Sequence, residues 1–185
     1  MSIQKAGTEL SYTVTYLEMT ERPSFGFPTQ PVTSTAALLR AEEPPLWYFL
    51  QLYDAVGRDY AWEDMHSAPP DEVRAQVARS QIFTLLDQGW PHGFFMLEPK
   101  GQVTDLAYFG MVPEAVGRGL GRWLLQTAIL TAWDIPGTER LTVNTCTLDH
   151  PRALALYQKN GFTPIRREER TRRLARDRDL SRIPS

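Results

Sequence analysis

The sequence is poor in the residues that staple or anchor a chain. Its 185 residues include one cysteine, Cys146, and three histidines. A single cysteine excludes an internal disulfide framework and makes a reducing, cytoplasmic setting the expectation. No run approaches the roughly 18 apolar residues of a membrane-spanning helix, so no membrane partner is expected. The opening MSIQKAGTEL has no apolar stretch of the kind a secretion signal needs. No group of His, Cys and carboxylate residues has metal-ligand spacing, and no metal is expected. Internal repeats, linkers and low-complexity segments are also missing.

What the chain does have is 42% apolar residues and five tryptophans, enough for one domain with its own core. The net charge of −2 hides an asymmetry. From Arg166 onward eight arginines face Glu168, Glu169, Asp177 and Asp179, a surplus of +4 that leaves −6 for the rest. The interleaved acids disfavour a polyanion, so no nucleic-acid partner is expected. A single domain over residues 1–170 with an Arg-rich tail at 171–185 follows, the tail reading as a solvated helix or a frayed end.

Alternation predicts a first strand over 13–19. The proline-rich segment to Pro45 reads as loop, with a helical turn near Thr35–Arg40. Leu46, Phe49, Leu50, Tyr53 and Val56 share one helical face, and Gly57 supplies a stop. Residues 58–68 read as a structured loop, and Pro69-Pro70-Asp71 opens a second helix. Strands follow at 82–86, 93–97 and 103–112, then a helix over 120–133, a strand over 140–147, a helix over 151–160 and a strand from Phe162. Gly110 and Pro113 suggest that strand 103–112 does not stay paired to its end. This order implies a mixed α/β domain.

Val116-Gly117-Arg118-Gly119-Leu120-Gly121 lies between a strand and a helix. Glycine permits a tight turn and close approach to a ligand. The first helical turn offers free N–H groups and the positive end of the helix dipole, which suits an anion. A dinucleotide-binding reading fails, because no acidic residue stands at a second-strand tip about 20 residues on. A P-loop fails for want of a following Gly-Lys-Ser/Thr.

The run LAYFGMVPEAVGRGLGRWLL resembles motif A of the GNAT acetyltransferase superfamily, and HPRALALYQKNGF resembles its motif B. The order of elements upstream matches as well. The resemblance implies a single mixed, mostly antiparallel sheet flanked by helices, with a V-shaped splay between strands 103–112 and 140–147. It implies acetyl-CoA as cosubstrate and transfer of the acetyl group to a primary amine by direct attack in a ternary complex. The alternative is a catalytically degenerate CoA-binding regulatory module. Val116 stands where the family usually has Gln or Arg, and His150 where it has Asn.

Carried onto this chain, the resemblance makes Tyr157 the group that protonates the leaving thiolate. A core aromatic on an amphipathic helix is the other reading of that residue. Asp105 sits where members with a carboxylate base often place it, or else points to solvent. Glu63, Asp64, Glu98 and a water relay are further candidates for the base, while His66 and His92 read as loop residues. Phe109, Met111 and Val112 are expected to bond the pantetheine arm through their main chains. Gly117, Arg118, Gly119, Leu120, Gly121 and Arg122 are expected around the pyrophosphate, with His150 near the cofactor arm. Cys146, on a strand without an evident activator, reads as a small hydrophobe rather than a nucleophile.

The acceptor pocket is expected from Trp47, Tyr48, Tyr53, Tyr60, Trp62, Glu63 and Asp64. Aromatic walls with carboxylates suit a cationic small-molecule or peptide amine. A homodimer is compatible with the resemblance, since dimers are common in the superfamily.

Overall fold

A computed structural model describes residues 3–31 and 35–183. Its centre is a seven-stranded sheet in the order β3-β4-β5-β6-β7-β2-β8. The strands are β2 (Glu9–Met19), β3 (Ala37–Ala41), β4 (Gln81–Asp87), β5 (Trp90–Lys100), β6 (Val103–Met111), β7 (Arg140–Cys146) and β8 (Thr163–Arg173). Every neighbouring pair is antiparallel except β6 and β7. A second, two-stranded sheet joins β1 (Ile3–Gln4) to β9 (Arg178–Asp179). The helices are α1 (Leu46–Gly57), α2 (Asp64–Ser67), α3 (Pro70–Arg79), α4 (Leu120–Trp133) and α5 (Ala153–Lys159). No helix among the described residues is long and apolar enough to cross a membrane.

The apolar run Phe94-Phe95-Met96-Leu97 is buried throughout because helices cover both faces of β5. Side chains alternate along a strand. Phe94 and Met96 therefore pack with Phe49, Leu52 and Val56 of α1 and Val73 and Val77 of α3. Phe95 and Leu97 pack with Leu124, Leu125, Ala128 and Ile129 of α4. Removing a fully buried aromatic such as Phe95 costs about 3–5 kcal/mol.

The splay expected of β6 and β7 is present. They pair only from Val103 with Arg140 to Asp105 with Thr142. Beyond Asp105, β6 stays on β5 up to Met111, while β7 stays on β2 up to Cys146. A gap therefore opens between two strands that are each held by their outer neighbour.

Two expectations fail. The helical turn near Thr35–Arg40 is instead the edge strand β3, paired from Ala37 with Leu86 to Ala41 with Ile82. Pairing with the exposed edge of β4 outweighs the weak local pattern. The C-terminal arginines do not form the expected solvated helix or frayed end; only Arg182 lies in a helical turn, the short 3₁₀ segment Leu180–Arg182. β8 pairs with β2 from Thr163 to Arg173, so a boundary at 170/171 falls inside a strand. The chain then folds back against residues 54–63. The Ala175 N–H donates to both Glu63 carboxylate oxygens, Arg176 pairs with Asp54 at 2.7 Å, and buried Arg178 donates to the Asp59 and Leu148 carbonyls at 2.6 and 2.7 Å. These cations looked solvated in sequence because their partners lie more than a hundred residues away or, for Leu148, on a different loop.

Candidate active site

The glycine loop gets its shape from backbone conformation. Pro113–Ala115 makes a 3₁₀ turn, and Gly117 and Gly119 then take φ of +87° and +79°. A side chain at either glycine would meet nothing within 4 Å, so left-handed backbone rather than crowding requires glycine there. Gly119 caps α4 without a side-chain hydrogen bond, and the first turn holds no acid. The N–H groups of that turn are thus left for an anion. Val116, Gly117, Gly119, Gly121 and Arg122 line the adjoining cavity. Arg118 turns aside, with Nη1 3.5 Å from His92 Nε2, and the Leu120 side chain is buried in the core. Leu120, its side chain buried, can offer a ligand only its backbone, as the glycines do.

Strand parity sorts the expected pantetheine contacts. The Val112 N–H donates to the His92 carbonyl at 2.9 Å, so that residue faces β5. In an antiparallel pair, alternate residues turn both backbone groups to the same neighbour. Gly110 therefore also faces β5, whereas Phe109 and Met111 face the open gap. Phe109 and Met111 thus turn backbone groups to the cavity, whereas the Val112 N–H is committed to β5 and its side chain is buried outside the cavity.

The cavity has a volume of about 670 Å³ and runs along this gap. Tyr157 on α5 lines it, with its ring edge-on to Phe109 at 6.2 Å and to Phe162 at 5.9 Å. Burial, and secondarily the nearby Asp149 carboxylate, raise the Tyr157 hydroxyl well above the usual tyrosine range. It is therefore a protonated phenol at neutral pH. His150 also lines the cavity but is not the N-cap of α5. Its Nδ1 accepts the Arg152 N–H at 3.1 Å, which places the proton on Nε2, a buried atom with no partner among the described residues. Burial and Arg152 lower its pKa, so the ring is a neutral donor.

The candidate bases separate by position. Asp105 does not line the cavity. It lies at the closed end of the V, accepting from Thr142 Oγ1 at 2.7 Å with Lys100 Nζ at 3.5 Å. Glu98 is buried between Arg79 (2.6 Å) and Lys100 (3.1 Å). Glu63 accepts the Ala175 N–H. His66 lies in α2 and pairs with Asp54 at 2.9 Å. His92 is no loop residue either: it is fully buried in β5. Of the carboxylates considered from the sequence, Asp64 alone lines the cavity, where Arg172 Nη2 donates to it at 3.0 Å.

Of the residues expected around an acceptor, Tyr53, Tyr60 and Trp62 line the cavity. Trp47 is 64% exposed, and the Tyr48 hydroxyl bonds Thr84 at 2.7 Å; neither reaches the cavity. Sequence reasoning missed Tyr12, Tyr16, Asp149, Arg170 and Arg172. Equal parity on the first and last long strands is the signal that brings Tyr12 with Tyr16, and Arg170 with Arg172, to one face. Cys146 lines the cavity too, with burial and Asp149 pushing its thiol up to about 11. A thiol so protonated is a poor nucleophile.

Among the described residues no group of three or more His, Cys, Asp or Glu side chains is placed to hold a metal ion. The anion-ready helix start, the two outward-facing backbone positions and the neutral His150 donor fit the phosphate and amide groups of a CoA thioester.

Comparison with known proteins agrees with this geometry. A family model described as Acetyltransferase (GNAT) family matches residues 46–162. A mycothiol acetyltransferase from Jonesia denitrificans is 39% identical over 98 residues, which is 53% of this chain and 29% of that protein. The chain thus aligns with less than a third of that relative's length. Among solved structures, a GCN5-related N-acetyltransferase from Sphaerobacter thermophilus superposes with a TM-score of 0.58 at 12% identity, covering 94% of this chain and 53% of that one. Another from Kribbella flavida gives 0.58 at 16% identity, covering 92% and 59%. At these identities the likeness is one of fold.

Proposed function

The chain belongs to the GNAT acetyltransferase family, and on that premise we propose that it is an acetyl-CoA-dependent N-acetyltransferase acting on a primary amine of a small molecule or peptide by direct attack. One observation carries the reading: a single cavity runs from the uncapped start of α4, along the gap beside β6, to Tyr157 and an aromatic bowl. Acetyl-CoA supplies an activated acyl group. Backbone N–H groups at Gly119 to Arg122 hold its phosphates, and Phe109 and Met111 hold its arm. That places both reactants in one site, which lowers the entropic part of the barrier.

Tyr157 gives its proton to the departing sulfur, a role suited to a phenol kept neutral by burial. Asp64, the cavity carboxylate with most exposure, takes the proton of the amine directly or through a water. Asp149 is less suited, because Trp62, Thr145 and the Cys146 N–H already occupy its oxygens.

The test is a thiol-release assay with acetyl-CoA over a panel of amines, run beside a CoA-binding titration. The expected result is saturable release with at least one amine. Tight CoA binding with no release from any amine would favour a degenerate CoA-binding module instead. Failure to bind CoA would remove the basis of either reading.

A further inference from the structure

The acceptor end of the cavity has hydrogen-bond donors to spare and few free acceptors. Tyr12 and Arg170 stand directly opposite each other on β2 and β8, and both line the cavity. Residues opposed in this way have Cβ atoms about 5 Å apart. Arg170 uses Nε and Nη2 on Glu168, and Nη2 also donates to the Tyr16 hydroxyl at 2.8 Å. Its Nη1 makes no hydrogen bond among the described residues. The Tyr12 hydroxyl accepts from Arg172 at 3.3 Å, and among the described residues its own proton has no acceptor. By contrast, the Tyr16 proton goes to Glu168 at 3.1 Å.

The charges point the same way. Glu168 is shared by Arg166 at 3.3 Å and Arg170 at 3.1 Å, so one carboxylate serves two guanidinium groups. Asp64 is offset by Arg172 at 3.0 Å. Arg166, Arg170 and Arg172 thus outnumber Glu168 and Asp64 by one along β2 and β8, while the other cavity carboxylate, Asp149, is held by Trp62, Thr145 and the Cys146 N–H. An ammonium brings only donors and a like charge, and the carboxylates nearest Tyr12 and Arg170, Asp64 and Glu168, already accept from arginines. A carboxylate brings acceptors and the opposite charge, and Arg presents a fork that fits it.

We infer that the amine acceptor carries a carboxylate, as an amino acid does, and that Arg170 with the Tyr12 hydroxyl binds it. This names the acceptor class for the site proposed above and rests on that reading for its chemistry. The aromatic bowl then surrounds the rest of the acceptor, and Asp64 lies on the same rim to meet its amine.

The experiment titrates CoA-saturated protein with matched pairs of probes, L-alanine, L-leucine and L-phenylalanine against their carboxamides, at a pH where both amines are protonated. The acids should bind about 10-fold or more tighter than the amides, as expected of a charge-assisted bond. In Arg170→Gln the ratio should collapse towards one, and Arg170→Lys should restore part of it. CoA affinity of each variant reports whether it is folded. Amides that bind as well as the acids, a ratio that survives Arg170→Gln, or no binding by either class would overturn the inference. Acid preference without thiol release would leave it standing and sink the acetyl-transfer reading. Release from amines without any acid preference would do the reverse.

Discussion

Trp62 Nε1 donates to Asp149 Oδ1 at 3.0 Å, joining the aromatic wall after α1 to the loop between β7 and α5. The second oxygen of Asp149 accepts from Thr145 Oγ1 at 2.7 Å and from the Cys146 N–H at 2.8 Å. One carboxylate thus sets the distance between the two sides of the cavity mouth.

Asp149→Asn tests that arrangement. The amide can still accept from Trp62, but its nitrogen cannot accept from Thr145 and Cys146, and about 1–3 kcal/mol of stability should be lost. The Cys146 thiol gives a second readout. Its pKa of about 11 comes first from burial and then from the Asp149 charge. Without the charge it should fall, yet stay above the ordinary 9.0 because burial remains. The pH dependence of alkylation by iodoacetamide measures this. A midpoint unchanged by the substitution would mean that the carboxylate does not act on the thiol.

Tyr157→Phe removes a hydroxyl and leaves the ring contacts with Phe109 and Phe162 in place. If the phenol is the proton donor, kcat should fall by about 100-fold or more while CoA affinity stays within a few-fold. A leaving group that needs no proton separates the roles further. An acyl donor with a more acidic thiol should lose much less from the substitution. Equal losses with both donors would mark Tyr157 as packing only.

Much of this arrangement was legible because it is written locally. The apolar stripe of α4 and its glycine start, the alternation of β2 and the Gly110–Pro113 ending of β6 each lie within a short window. What escaped depends on partners far along the chain. Spacing put Asp105 on β6 but could not say that the V closes at that residue, where Thr142 meets it. It placed Val112 beside Met111 but could not say which of them faced β5. Arg176 and Arg178 looked solvated because nothing local tells that Asp54 and Asp59 wait for them.

Gly119→Ala puts a side chain where there is space but where φ is +79°. The strain costs about 1–2 kcal/mol. Relief comes from rotating the backbone, which turns the first N–H groups of α4 away from the phosphates. A drop in melting temperature should therefore accompany a CoA affinity weakened by about 10-fold or more. Gly101→Ala, at φ +67° in the turn between β5 and β6, is the control. It should cost similar stability and leave CoA affinity unchanged.

His92 makes stability depend on pH. It is fully buried in β5, its Nδ1 has no partner among the described residues, and burial lowers its pKa from the ordinary 6.5 despite Asp87, with Arg118 adding to the shift. A group with a depressed folded pKa binds fewer protons folded than unfolded, so stability rises with pH across the interval between the two values. Above about 6.5 the ring is neutral in both states and the effect is absent. As pH falls below that value the unfolded chain gains a proton that the folded one refuses, and the melting temperature should drop. His150 is depressed in the same direction and adds to the slope. Replacing His92 with Phe should flatten the profile between pH 6.5 and the folded value, and adding His150→Gln should flatten it further. Melting curves of the two variants against the wild type decide the point, and an unchanged slope in both would show that neither ring is the source.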